Sequence, residues 1–326
     1  MNISNGISKR TLGKTGLVVS ELGLGTTVIG YKYGIIDRPI PSEQEAIALL
    51  KHAVELGINF IDTASLYGVA EERIGKSGIL KNEKIILATK CGSILEKNEN
   101  LPPQELLKLI NEEVDSSLRK LKIDSIPLLQ LHVVTKKILD DGGVPELLFN
   151  FKKSGKARFI GACVRYEENA KAAIESGIFD TVQLAYSILD QRMSPKLLDM
   201  AKEKDLGIIA RSVLLKGIMT DKFETSAFGP LGSKASKSES ERLINTFHEI
   251  EKIARELGTD TVSLALRFAI SNKNIGTALI GTGSQSHLEK AVKAAEAGAL
   301  PDHIILDLES LAIQDENLID PQNWPK

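Results

Sequence analysis

Eight apolar runs, most of them followed by a segment of helical period, constrain this chain more than any other feature. They are Glu21–Gly25, Phe60–Asp62, Lys84–Lys90, Ser125–His132, Ala157–Gly161, Thr181–Leu184, Leu206–Arg211 and Ile275–Gly281. Near-continuous apolar runs, as opposed to alternating ones, mark strands buried on both faces. After Pro41-Ser42-Glu43 the apolar residues Ala46, Leu49, Leu50, Ala53, Val54 and Leu56 keep a helical period, and Gly57 ends it. Further helices are expected at Gln104–Leu121, Val144–Ser154, Glu167–Ser176, Pro195–Lys204, Glu239–Leu257, Asp260–Ile270 and Ser284–Ala297. Strands that alternate with helices predict a parallel sheet covered by helices. Eight of them favour a (β/α)8, or TIM, barrel. A doubly wound open sheet is the alternative, but no Gly-x-Gly-x-x-Gly turn opens a helix after an early strand. Lys9–Leu12 and Leu17–Ser20 flank a glycine-rich turn and read as an N-terminal β-hairpin. Extra helices are expected near the C-terminus, and residues 1–326 read as a single domain. Ser212 to about Ser238 has no clear period.

Composition narrows the function classes. Of 326 residues, 42% are hydrophobic and 26% charged, enough apolar surface for a large core. The 41 basic and 43 acidic residues nearly cancel, with no basic block and no acidic tail, so no nucleic-acid partner is expected. The first six residues lack the apolar region of a signal peptide. Stretches such as Ile126-Pro127-Leu128-Leu129 are too short to span a bilayer, so no membrane partner is expected. Cys91 and Cys163 lie far apart and suggest neither a disulfide framework nor a metal site. A reduced, cytoplasmic setting is expected.

The chemistry collects at strand ends. In such barrels the active site lies at the C-terminal ends of the strands. The second strand ends in Asp62, with Tyr67 on the loop after it; the third ends in Lys90 and the fourth in His132. Singly, each has a structural reading: a helix cap, a packed ring, a lysine reaching solvent, a core histidine. Jointly they point to function, because an unpaired charge is costly to bury. An ammonium near a phenol favours the phenolate, and a carboxylate keeps that lysine charged and in place. A histidine can bond the same oxygen atom. The set is suited to moving a proton at a carbonyl oxygen. It holds no hydride donor of its own, so a nicotinamide cofactor is implied.

Phe60-Ile61-Asp62-Thr63-Ala64 with Tyr67-Gly68, Ala88-Thr89-Lys90 and Leu131-His132 resembles the signature of the aldo-keto reductase superfamily. The resemblance implies a (β/α)8 barrel and NAD(P)H-dependent interconversion of a carbonyl (aldehyde, ketone or sugar) and an alcohol. It makes Tyr67 the general acid, tuned by Lys90 and Asp62, with His132 orienting the substrate. It also implies cofactor contacts from Gly25, Thr26, Asp62, Gln183, Arg211, Ser212, Leu214, Gly217, Gly281, Gly283 and Gln285. Cys163 and Val164 stand where the family usually has Ser-Asn on the nicotinamide carboxamide. Arg211-Ser212 stands where many members have an aromatic ring; a planar guanidinium also stacks. The segment Ser212–Gly217 would wrap the pyrophosphate.

Thr282 and Gly283 stand where NADPH users often carry the cation that pairs the 2′-phosphate; His287 and Lys290 are the nearest basic residues. NADP(H) is therefore the family default and NAD(H) its contender. Tyr31, Tyr33, Ile35, Cys91 and Trp324 are candidates for substrate contact. An NAD-dependent sugar 1-dehydrogenase is a close variant of the same chemistry. A Schiff-base lyase using Lys90 and a non-catalytic nicotinamide-binding regulatory subunit are the readings from other classes.

Overall fold

The computed structural model describes residues 6–32, 39–96, 101–220 and 237–320. Strands β1 (Lys9–Thr11) and β2 (Val18–Ser20) pair antiparallel in the expected hairpin. Eight parallel strands then close a barrel: β3 (Leu22–Gly25), β4 (Phe60–Asp62), β5 (Ile86–Cys91), β6 (Ile126–Leu131), β7 (Ala157–Cys163), β8 (Thr181–Ala185), β9 (Gly207–Arg211) and β10 (Ile275–Gly281), with β10 returning to β3. Each strand matches one of the eight apolar runs.

The helices of the described residues are α1 (Glu43–Glu55), α2 (Ala70–Ser77), α3 (Pro103–Leu121), α4 (Lys136–Asp140), α5 (Gly143–Lys153), α6 (Glu167–Ser176), α7 (Lys196–Glu203), α8 (Lys237–Glu256), α9 (Thr261–Ser271), α10 (Gln285–Glu296), α11 (Asp302–Glu309) and α12 (Glu316–Ile319). α1 starts where the sequence places it because Ser42 and Glu45 form a reciprocal capping box. α2, α4, α11 and α12 escape the periodicity argument. They run four to eight residues, little more than two turns at most, and give a 3.6-residue repeat little length to show in. Among the described residues no helix is long and apolar enough to cross a membrane.

Side chains alternate between the two faces of each strand. The outward set (Leu24, Ile61, Leu87, Leu129, Ile160, Val182, Ile208 and Ile280 among others) packs under the helices in one large core. The inward set (Phe60, Ile86, Ala88, Leu128, Ile209 and Leu279) fills the barrel, together with Leu12, Leu17 and Val19 of the hairpin. The hairpin closes the N-terminal end. Its Leu12 is fully buried against Gly207 and Gly276, where an added Cβ would come within 2.6 and 2.7 Å of the leucine. Arg10 ties it down with hydrogen bonds to the carbonyls of Ile270, Asn272 and Ile275 and an ion pair to Glu21. With one end sealed by apolar packing, the opposite rim is the place where polar residues gather.

Candidate active site

Asp62 is the last residue of β4 and points inward by the same alternation that buries Phe60. On β5 the inward positions are Ile86, Ala88 and Lys90; on β6 they are Leu128 and Gln130, with His132 one residue past the strand. The Lys90 ammonium lies 2.5 Å from Asp62 Oδ2 and also donates to the Thr63 carbonyl at 2.9 Å. Both side chains are buried. Burial, the largest single influence, pushes the Lys90 amine down; Asp62, by charge and hydrogen bond, together with Tyr67 and Cys163 pushes it up, and the balance holds the amine above the usual lysine range. An amine held as ammonium is no nucleophile, which counts against Schiff-base chemistry at Lys90.

Tyr67 stands over this pair, with Lys90 Nζ 5.1 Å from the centre of its ring. His132 meets the Tyr67 ring edge-on, with centroids 6.0 Å apart. Burial pushes the His132 imidazole down to about 3, and the charges of Lys90 and Arg211 push the same way. The ring is therefore neutral at physiological pH. Its Nδ1 is buried and makes no hydrogen bond among the described residues.

The loop carrying Tyr67 is fixed from two sides. Gly30 and Gly68 interlock: a Cβ on Gly30 would come within 2.1 Å of the Tyr67 carbonyl, and one on Gly68 within 2.2 Å of the Gly30 carbonyl. On the other side Glu113 of α3 accepts from Ser65 Oγ, from Gly92 N–H at 2.7 Å and from Ser93 Oγ at 3.1 Å. One carboxylate thus joins the loops that follow β4 and β5.

Sequence reasoning missed three of these residues. Gln130, a fully buried amide, donates to Asp62 Oδ1 at 3.0 Å. Its signal was available as the one polar residue inside an apolar run. Glu113 lies mid-helix among other charged residues, and Gly30 carries no local mark; neither had such a signal.

The residues expected to hold a cofactor ring the same rim. Gly25 and Gly281 are register partners. A Cβ there would come no closer than 3.6 and 3.9 Å to a neighbour, so packing in the protein does not demand these glycines. Thr26 uses both its N–H and its hydroxyl on the Asp62 carbonyl, each at 2.9 Å. Gln183 donates to Asp62 Oδ1 at 2.8 Å, and Cys163 Sγ lies 3.8 Å from Gln183 Oε1. Arg211 reaches back from β9 to the Val164 carbonyl at 3.0 Å and contacts Ser212 Oγ. Ser212, Leu215 and Lys216 all have left-handed backbone, with φ of 59°, 45° and 54°, followed by Gly217 at 108°. Each strained residue costs on the order of 1–3 kcal/mol and is typical of a ligand clamp. Within that turn the Leu215 and Gly217 N–H groups bond the carbonyls of Ser212 and Leu214, so those two donors are already engaged.

Beyond β10, Ser284 caps α10, whose first residue is Gln285. A helix N-terminus favours a phosphate. Gly283 would bring a Cβ to 3.2 Å from Pro41. Lys290 lies further along α10, in a groove shared with Asp260, Ser263 and Arg267. The rim glycines, the strained turn and the capped helix start suit a dinucleotide laid across the rim. Of the substrate candidates, Tyr31 is exposed and Cys91 is buried. Burial, then the charges of Glu113 and Glu71, keep the Cys91 thiol well above its ordinary range and unreactive. Tyr33, Ile35 and Trp324 fall outside the described residues.

Residues 21–313 match the model of the aldo/keto reductase family. The chain belongs to that family. Its solved likenesses include an aldo-keto reductase of Bacillus halodurans in holo form, 27% identical, with a TM-score of 0.77 over 97% of this chain and 99% of that one. An uncharacterized oxidoreductase of Bacillus subtilis is 29% identical, covering 94% of this chain and 97% of its own length. L-galactose dehydrogenase of Arabidopsis thaliana is 29% identical over 96% of this chain and 92% of its own. The NADH-specific methylglyoxal reductase of Escherichia coli is 27% identical over 88% and 93%. Membership carries the fold, and the family and its oxidoreductase relatives support an enzyme of that class.

Proposed function

We propose that this aldo/keto reductase interconverts a small carbonyl compound and its alcohol, with Tyr67 as the general acid and base. The observation that supports it most is the juxtaposition of Tyr67 with a buried ammonium and a neutral imidazole at one rim. A nicotinamide held across the rim would supply the hydride. Toward reduction, the Tyr67 hydroxyl gives its proton to the carbonyl oxygen, and the Lys90 ammonium stabilises the phenolate left behind. Asp62 keeps Lys90 charged. His132, neutral and with a ring nitrogen that has no hydrogen-bond partner among the described residues, orients the carbonyl oxygen without competing as an acid. Toward oxidation the phenolate takes the proton back.

Tyr67→Phe tests this. Turnover falls by roughly 10²–10⁴-fold, the usual worth of a positioned acid, while nicotinamide binding followed by fluorescence stays close to wild type. Retained turnover would remove Tyr67 from the role, and absence of turnover in the wild-type chain over a panel of aldehydes, ketones and aldoses would favour a binding subunit instead.

Two finer points follow from particular residues. Thr282 and Gly283 leave the place of a 2′-phosphate cation without one, and one relative is named for NADH specificity. We therefore favour NAD(H) over the family default NADP(H); a tighter dissociation constant for NADPH than for NADH reverses that choice. The second reading of the reaction is oxidation of a sugar at its hemiacetal carbon, motivated by the galactose dehydrogenase relative. Initial rates with aldoses and NAD against rates with small aldehydes and NADH separate the two.

A further inference from the structure

The two oxygens of Asp62 are used differently. Oδ2 receives the Lys90 ammonium. Oδ1 receives two amide N–H groups, from Gln130 at 3.0 Å and from Gln183 at 2.8 Å. The amides also meet each other, Gln183 Nε2 lying 3.2 Å from Gln130 Oε1. None of the four residues is more than 3% exposed. A barrel interior gains nothing from amides where leucines would pack, unless their hydrogen bonds serve something. The neighbouring strand also makes room for one of them. A Cβ on Gly161 would lie 2.9 Å from Gln130 Cγ and 2.4 Å from Thr181 Oγ1.

We propose that Gln130 is a positioning residue for proton transfer: with Gln183 it pins Asp62 by Oδ1, so that Oδ2 stays with Lys90 and the ammonium stays beside Tyr67. The inference rests on Tyr67 being the acid and base. Two N–H dipoles aimed at Asp62 offset part of its negative charge. That leaves more of the Lys90 field for the phenol and favours the phenolate. Gln183 shares the role, but it also sits where the family resemblance puts a cofactor contact. Gln130 has no such second role and is the cleaner probe.

The experiment compares wild type with Gln130→Met, which keeps length but donates nothing, Gln130→Glu, which can donate to Asp62 only while protonated, and Tyr67→Phe. Two readouts are taken. One is the pH dependence of alcohol oxidation. The other is the ultraviolet titration of tyrosine ionisation in the protein alone, with Tyr67→Phe as the blank. In Gln130→Met the Tyr67 ionisation moves up by about half to one pH unit and the oxidation profile moves with it. Its turnover falls about three- to tenfold below that midpoint, with nicotinamide affinity within about twofold of wild type. Gln130→Glu retains more turnover than Gln130→Met at low pH and loses that advantage as pH rises. A Gln130→Met protein that is slower or less stable but keeps the wild-type Tyr67 ionisation and profile would overturn the proposal. Should that variant fail to fold, absence of the pH-dependent advantage in Gln130→Glu would do the same. Turnover in Tyr67→Phe would instead overturn the underlying reading, so the two failures are distinct.

Discussion

A buried ion pair is held in place by each partner's need for the other. Removing one side of such a pair typically costs about 3–5 kcal/mol, because the survivor is left charged and unsatisfied. Asp62→Leu strands Lys90, which is 1% exposed, so its unfolding free energy from urea curves should fall by an amount in that range. Asp62→Leu with Lys90→Met removes both charges and should recover part of the loss, since the buried Gln130 and Gln183 amides still lose the acceptor they shared, while staying inactive. A single variant as stable as wild type would mean that Lys90 finds another partner. His132 gives a second prediction at this scale. In the folded chain its ring takes a proton only near pH 3, whereas an unfolded histidine does so near 6.5. Its contribution to stability is therefore complete above about pH 6.5 and is lost as pH falls toward 3, since the unfolded chain binds the extra proton. Denaturation curves taken between pH 4 and 7 should show a shallower acid decline in His132→Gln than in wild type. Parallel declines would mean that the ring is charged in the folded protein.

At the scale of elements, the rim depends on loops that are clamped from outside the barrel. Glu113 of α3 holds Ser65 on one side and Gly92 and Ser93 on the other. Glu113→Ala frees the loop two residues before Tyr67. Misplacing a reacting group by an ångström costs up to about 100-fold in rate, so turnover should drop roughly ten- to hundredfold with nicotinamide affinity preserved. A rate within twofold of wild type would show that the Gly30–Gly68 interlock alone suffices. These clamps also mark the limit of what the sequence discloses. Asp62, Lys90 and His132 stand out because each ends an apolar run, where a titratable group has no packing reason to be. Gln130 breaks its run in the same way, two residues before His132 and in register with Lys90, and was readable by the same logic. Glu113 and Gly30 were not, because each acts through a contact made only after distant loops have been brought together. The boundaries that moved, such as β5 running one residue past Lys90, moved where strand hydrogen bonding and not polarity decides the end.

The whole molecule is a barrel with two unlike ends. The closed end is apolar and assembled from the hairpin: Leu12 sits in the hollow left by Gly207 and Gly276, and Lys14 N–H bonds the Asp205 carbonyl at 2.6 Å. The open end carries the ion pair, the amides, the strained turn after β9 and the start of α10. Between them lie the inward side chains of Phe60, Ile86, Ala88, Leu128, Ile209 and Leu279. Stability drawn from the closed end and chemistry at the open end should therefore be separable. Leu12→Ala leaves a cavity where no loop can collapse, because the glycines around it are backbone of β9 and β10. The expected loss is about 2–5 kcal/mol, read from the urea midpoint. At a temperature where the variant remains folded, its turnover and nicotinamide affinity should match wild type, since Leu12 belongs to the opposite end from Tyr67. A variant that loses turnover in proportion to stability while still folded would mean that strain at the closed end passes through those inward side chains to the Asp62–Lys90 pair. The barrel would then behave as one rigid body and not as a sealed base beneath an independent rim.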